Sequence, residues 1–277
     1  MPGAGRLERQ DSTGAQMPTE KKAAAGKKNS SERMMPAERK AFVLSWLAVA
    51  LATPLTLLAG IWTGGRSYIL VCILIVIYSM VPFFAYFEAR KPQARELTLM
   101  AVTCALSIAS RVAFAPVPFF KPTLGIIMIA GIAFGRMQGF LVGSVTALVS
   151  NFIFGQGPWS PFQMLAYGLS GFVFGFLSDK GTIPMGSWRM HVRVAVSAAS
   201  GIFIIVVAGP ILDTSSFLFM VSSITPESIV AIYAAGLPVN ISHGAATAIT
   251  VFVLANPILT KLSRVKRKYG VMDWTGT

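Results

Sequence analysis

KPTLGIIMIAGIAFGRMQGFLVGSVTALVSNFIFGQGPWSPFQMLAYGLSGFVFGFLSDKG, residues 121–181, contains three apolar runs separated by Gly135 and by the turn GQGPW. Between Lys121 and Asp179 its one charged residue is Arg136. Three helices of this composition have no polar face to offer water, so their backbone groups must be satisfied internally, as inside a bilayer. Working outward, the same reading predicts eight membrane segments. They run over 42–63, 68–87, 97–115, 122–135, 138–155, 162–178, 193–212 and 228–259. The first is long enough, at about 1.5 Å per residue, to cross about 30 Å of hydrocarbon. The fourth is short and rich in Gly, which predicts tilting, bending or shielding by protein. The eighth is longer than one plain span and holds Pro238 and Pro257, so its ends are expected to break.

Composition agrees with an all-α multi-pass membrane protein. At 277 residues the chain could by length be one large soluble domain or two small ones, but 54% of it is hydrophobic and 13% charged. Soluble domains carry about 25% charge, and the mean hydropathy here is +0.63. So few polar groups cannot cover a water-exposed globule. Cys72 and Cys104 both lie in apolar runs, which reads as inert packing rather than a bridge or a metal pair.

The net charge of +13 is concentrated at the ends of the chain. Residues 1–41 hold nine Lys/Arg against five acids, and residues 261–277 hold five against one. Basic residues that flank membrane segments are attracted by cytoplasmic anionic lipid. No groove-reading module or aromatic-basic surface accompanies them, which disfavours nucleic-acid binding. Residues 1–41 are expected to be a disordered, basic cytoplasmic tail without a cleavable signal peptide. Residues 42–90 are read as two extra transmembrane helices, 91–260 as a six-helix core and 261–277 as a second basic tail. With the N-terminus cytoplasmic, Arg90, Lys91, Arg95, Arg136, Lys180, Arg189, Arg193 and both tails fall inside, against Arg66 and Lys121 outside. Both termini are therefore expected in the cytoplasm of a multi-pass cell-membrane protein.

Several chemistries have no residues to perform them. The chain has no GxxxxGK[ST] phosphate loop, no HExxH, no GxSxG and no His/Cys cluster at metal spacing. His191 and His243 fall on opposite predicted sides of the membrane, and Asp213 and Glu227 border a predicted outer loop, where solvation is the simple reading. No catalytic residue, no metal and no cofactor held by this chain is expected.

What remains is a polar and aromatic set at the predicted outer ends of the last six segments. Arg111 sits in the third segment near its outer end, where a cation either snorkels to the interface or serves a ligand. The loop AFAPVPFFKPT that follows is stiffened by three prolines and carries Lys121. Asn151 is an amide within the fifth segment and needs a partner there. Gln156 and Trp159 lie in the turn after it, and Gln163 and Tyr167, four apart, share a face of the sixth segment. Asn240 and His243, three apart, share a face of the eighth, just beyond Pro238. Aromatic faces with a few amides are the usual lining of a small-molecule pocket, although a lone Trp is as readily an interfacial anchor and a lone His a helix–helix tie. On the third segment, Ala101, Ala105 and Ala109 recur every four residues, a flat stripe along which another helix can approach closely. Gly139 with Gly143, and Gly171 with Gly175, repeat that spacing, so packing within the bundle is an equal reading.

These stretches resemble the substrate-binding S component of an energy-coupling factor (ECF) vitamin transporter. The resemblance lies in RELTLMAVTCALSIASRVAF (95–114), in residues 121–181 and in NISHGAATA (240–248). It implies a six-helix core that captures a vitamin-like compound at the outer face. It also implies a transmembrane coupling subunit, docked on Ala101 and Ala105 with Ala109 extending the stripe, and two cytoplasmic ATPase subunits that spend the ATP. The same resemblance places ligand contacts at Arg111–Lys121, Asn151–Tyr167 and Asn240–His243. FGQGPWSPFQ leans toward a cobalamin-type corrinoid. The two helices before the core depart from the pattern. A self-sufficient secondary transporter is the competing reading, disfavoured by the scarcity of membrane carboxylates, and a membrane enzyme is the remoter one.

Overall fold

Helix α4, Thr123–Phe134, is twelve residues long, and every one of them is buried. At about 1.5 Å per residue it reaches some 18 Å, well short of a bilayer core. It tolerates this because protein rather than lipid surrounds it. In the computed structural model it packs against α3 (Ala94–Ala113), α5 (Arg136–Phe154), α6 (Ser160–Asp179) and α9 (Pro226–Tyr269). The shielding expected from its length and glycines is the arrangement observed.

The structure describes residues 36–62, 68–90, 92–220 and 225–269. Among them every regular element is helical. Before the core come α1 (Pro36–Trp62) and α2 (Tyr68–Arg90), packed on each other as a hairpin. After α6 the chain forms α7 (Met190–Phe203), a π-helical turn (Ile204–Ala208) and α8 (Gly209–Met220), which together run as one apolar helix over Met190–Phe219. Five helices are long and apolar enough to cross a membrane: Ile69–Ala89, Ala94–Ala113, Arg136–Phe154, Met190–Phe219 and Pro226–Val265. The other three predicted segments are α4, α6, and α1, whose apolar part covers Val43–Thr56. The chain is thus an all-α, multi-pass membrane protein. Residues 1–35 and 270–277 of the two expected tails, with Arg66 and Lys91, lie outside the described residues.

The tightest seam joins α5 to α6, and glycine permits it. A Cβ on Gly171 would stand 2.1 Å from the carbonyl oxygen of Gly139, and one on Gly143 would stand 2.2 Å from that of Tyr167. Gly131 of α4 meets the Gly171 carbonyl at 2.0 Å by the same construction. For these glycine pairs the small-residue spacing therefore serves packing within the bundle. Phe140 of α5, fully buried, stacks on Phe83 of α2 with ring centroids 3.8 Å apart.

Two expectations about the later segments need correcting. The eighth does not break: α9 runs 44 residues through both Pro238 and Pro257. Each proline removes one backbone donor, but side chains nearby compensate by tying the rod to its neighbours. Asn256 accepts from the Trp188 amide at 2.9 Å and donates to the Trp188 carbonyl at 3.2 Å. Asp213 does not border a loop either. It lies inside the continuous Met190–Phe219 helix, half-buried, and accepts a hydrogen bond from Asn240 Nδ2 at 2.6 Å.

Candidate functional site

The predicted polar set begins where α5 ends. Gly155 closes that helix with φ +103, a backbone conformation glycine adopts without strain, and the turn GQGPW returns the chain into α6. This places the last turn of α5 beside the first turn of α6 and beside the C-terminal end of α3. Asn151, 1% exposed, is the centre of the cluster. Its Nδ2 donates to Gln163 Oε1 at 2.7 Å and to Ser160 Oγ at 3.2 Å. Its Oδ1 accepts from Arg111 Nη1 at 3.0 Å. Arg111 Nη1 also donates to Ser150 Oγ. Ser160 Oγ in turn donates to Gln156 Oε1 at 2.7 Å, and Gln156 Nε2 donates to the Leu148 carbonyl at 2.9 Å. A chain of satisfied bonds therefore runs from α3 through α5 into the turn and α6.

A buried amide network of this kind is rigid because each unmade bond would cost about 1–3 kcal/mol. It also fixes the aromatic faces around it. The Arg111 guanidinium carbon lies 4.7 Å from the Phe154 ring centroid and 6.0 Å from that of Tyr167. Tyr167 is 7% exposed. Trp159, 41% exposed, immediately precedes α6, with its ring over Gly157, where a Cβ would come within 2.4 Å of it.

The loop 114–122 forms the adjacent wall. Lys121 Nζ donates to the carbonyls of Phe114 at 2.8 Å, Ala115 at 3.2 Å and Val117 at 3.4 Å, closing the loop on itself. Phe119 within it has φ 56, a left-handed conformation costly for an aromatic residue. Ser110 Oγ and Thr123 Oγ1, 3.4 Å apart, join the two ends of the loop. Such a wall is ordered in advance, so little entropy is lost when a ligand arrives.

The sequence set divides in the structure. Arg111, Asn151, Gln156, Gln163 and Tyr167 come together, and Lys121 holds the wall next to them. His243, partly buried on α9, lies within the electrostatic reach of both Lys121 and Arg111. Asn240 is not joined to the cluster by a hydrogen bond. It is 5% exposed and pairs with Asp213, close against Gly209. Next to that pair, Thr214 Oγ1 and Tyr233 OH are 2.7 Å apart. Ser150, Phe154 and Ser160 belong to these groups without being singled out by the sequence, and Asp213 belongs to them although the sequence places it at a solvated loop. Ser160 was the detectable one, since a serine at the start of a helix after Gly-Pro-Trp commonly turns its hydroxyl back to the preceding loop.

Ala101, Ala105 and Ala109 are all exposed on α3, away from its buried residues Glu96, Met100, Cys104 and Ser107. Among the described residues no group of three or more His, Cys, Asp or Glu could hold a metal.

Comparison with known proteins covers the same region. No solved structure matches the chain. A family model described as ECF-type riboflavin transporter, S component, matches residues 91–262, which run from α3 into α9 and include every residue of the cluster. The resemblance read in residues 95–260 is thereby established, and the chain belongs to the family of ECF-type riboflavin transporter S components.

Proposed function

We propose that this chain captures a flavin at the extracellular face and delivers it to a transmembrane coupling subunit served by two ATPase subunits. Membership of the family makes it the substrate-specific component of an ECF transporter. The ligand and the residues that hold it are our reading. The observation that carries it is the network Arg111–Asn151–Gln163, pre-assembled beside Tyr167 and Phe154 within the matched residues. Its amide groups suit the carbonyl and nitrogen edge of a planar heteroaromatic ring, and Tyr167 and Trp159 suit its face. Lys121 orders the covering loop, and Asn240 and His243 supply the α9 wall. A flavin is preferred to the corrinoid suggested by FGQGPWSPFQ because the family description names riboflavin.

The orientation follows from loop charge: the cluster faces outward and both termini lie in the cytoplasm. Residues 91–260 form the ligand-binding core, 42–90 an added helical hairpin, and 1–41 and 261–277 the basic tails. The exposed stripe Ala101, Ala105, Ala109 is the docking face for the coupling subunit, because a surface without side-chain bulk lets a partner helix approach closely. The chain performs no chemistry on its ligand and binds no cofactor, and ATP is spent by the partners.

The test is titration of the purified full-length chain with riboflavin and, separately, with cobalamin. Riboflavin fluorescence is expected to quench saturably at stoichiometric protein while cobalamin gives no binding heat. Saturable cobalamin binding without riboflavin binding would overturn the flavin assignment.

A further inference from the structure

We infer that Arg111 and Lys121 form a cationic rim that recognises an oxyanion on the ligand, so that a phosphorylated flavin is held more tightly than the neutral vitamin. The inference rests on reading this mouth as the ligand site. Both cations are held by neutral partners. Arg111 bonds to Ser150 and Asn151, and Lys121 bonds to three backbone carbonyls. The Asp179 carboxylate serves Arg136 at the other end of α5 and α6, and Asp213 serves Asn240. Among the described residues no carboxylate pairs with Arg111 or Lys121.

The geometry of Arg111 carries the argument further. Both of its hydrogen bonds leave from Nη1. Nε and Nη2, which hold the remaining three N–H groups of a guanidinium, have no hydrogen-bond partner among the described residues. That edge is the planar fork that meets two oxygens of a carboxylate or phosphate side by side. Meanwhile Asn151 and the Phe154 and Tyr167 rings fix the guanidinium plane, so the fork is oriented before anything binds. A cation kept in a membrane helix without a counter-charge is costly, and an anionic ligand group would supply the missing charge. Lys121, already anchored by its loop, adds a second positive charge without needing to move.

A lipid phosphate offers the same oxyanion, so the experiment separates the two sources. The full-length chain, in lipid-free detergent, is titrated with riboflavin and with its 5′-phosphate. The phosphate ester is expected to bind about tenfold more tightly, and Arg111→Gln is expected to erase that ratio, bringing the two flavins to equal affinity. Arg111→Lys, which keeps the charge and loses the fork, should retain part of it. Equal wild-type affinity for the two flavins overturns the inference and leaves the flavin reading standing. If neither flavin binds, the flavin reading fails and inorganic phosphate decides. Replacing chloride by phosphate at constant ionic strength should then raise the melting temperature of the wild type and not of Arg111→Gln. No phosphate-specific rise would overturn the inference. So would a rise seen with phosphatidylglycerol vesicles and absent with inorganic phosphate, since that would give the rim to lipid.

Discussion

Helices α3 and α4 are joined by one loop and meet opposite fates. The shorter, α4, is buried along all twelve of its residues. The longer, α3, buries Glu96, Met100, Cys104 and Ser107 and leaves Ala101, Ala105 and Ala109 exposed. One helix is the axis of the bundle, and the other is attached along a narrow line. The difference shows that apolar composition does not by itself say which surface a membrane helix turns to its own protein. In α4 the glycines are spent inside, where backbones nearly touch. In α3 the small residues are left outside, exposed among the described residues.

The sharpest way to break this contrast is to add bulk to each surface in turn. Gly171→Val should be the most damaging change, because its first side-chain atom would stand 2.1 Å from the Gly139 carbonyl oxygen and both partners are backbone. We expect a loss of more than about 3 kcal/mol, read as aggregation or a collapsed melting temperature in size-exclusion and thermal assays. Asn151→Ala is intermediate. It would leave Gln163 Oε1 without its donor and Arg111 with Ser150 alone, for about 1–3 kcal/mol. Flavin affinity in the same sample should fall with it, so an unchanged affinity would remove Asn151 from the site. Ala101→Trp should disturb the isolated chain least, within about 0.5 kcal/mol, as an exposed position does. Ligand binding should survive while uptake in cells carrying the whole transporter is lost. Normal uptake would show that the α3 stripe is a plain lipid face.

Much of this contrast could be read in the sequence, and the rest could not for identifiable reasons. The shielding of α4 followed from a length that lipid would not accept. Arg111, Asn151 and Gln163 were visible because polar groups are expensive in apolar runs, and such groups must find one another. Ser150 and Ser160 were not, because a small hydroxyl in a membrane helix can satisfy itself on its own backbone and leaves no signature of a tertiary bond. Asp213 falls just past residue 212, where the apolar run of the seventh segment ends, but the helix continues through the π-helical turn at Ile204–Ala208 and on past it. Pro238 and Pro257 suggest breaks in α9, yet both lie on its exposed side and the helix runs on through them.

That unbroken α9 has a mechanical side. At about 1.5 Å per residue, its 44 residues extend some 66 Å, about twice the hydrocarbon thickness. Asn240, clasped to Asp213, and Asn256, clasped to Trp188, are rigidly spaced along it by about 24 Å. A stiff shaft gripped at two depths cannot pivot at one grip without swinging the other. Any tilt at the His243 turn of α9 is therefore delivered, undamped, to the segment between α6 and α7.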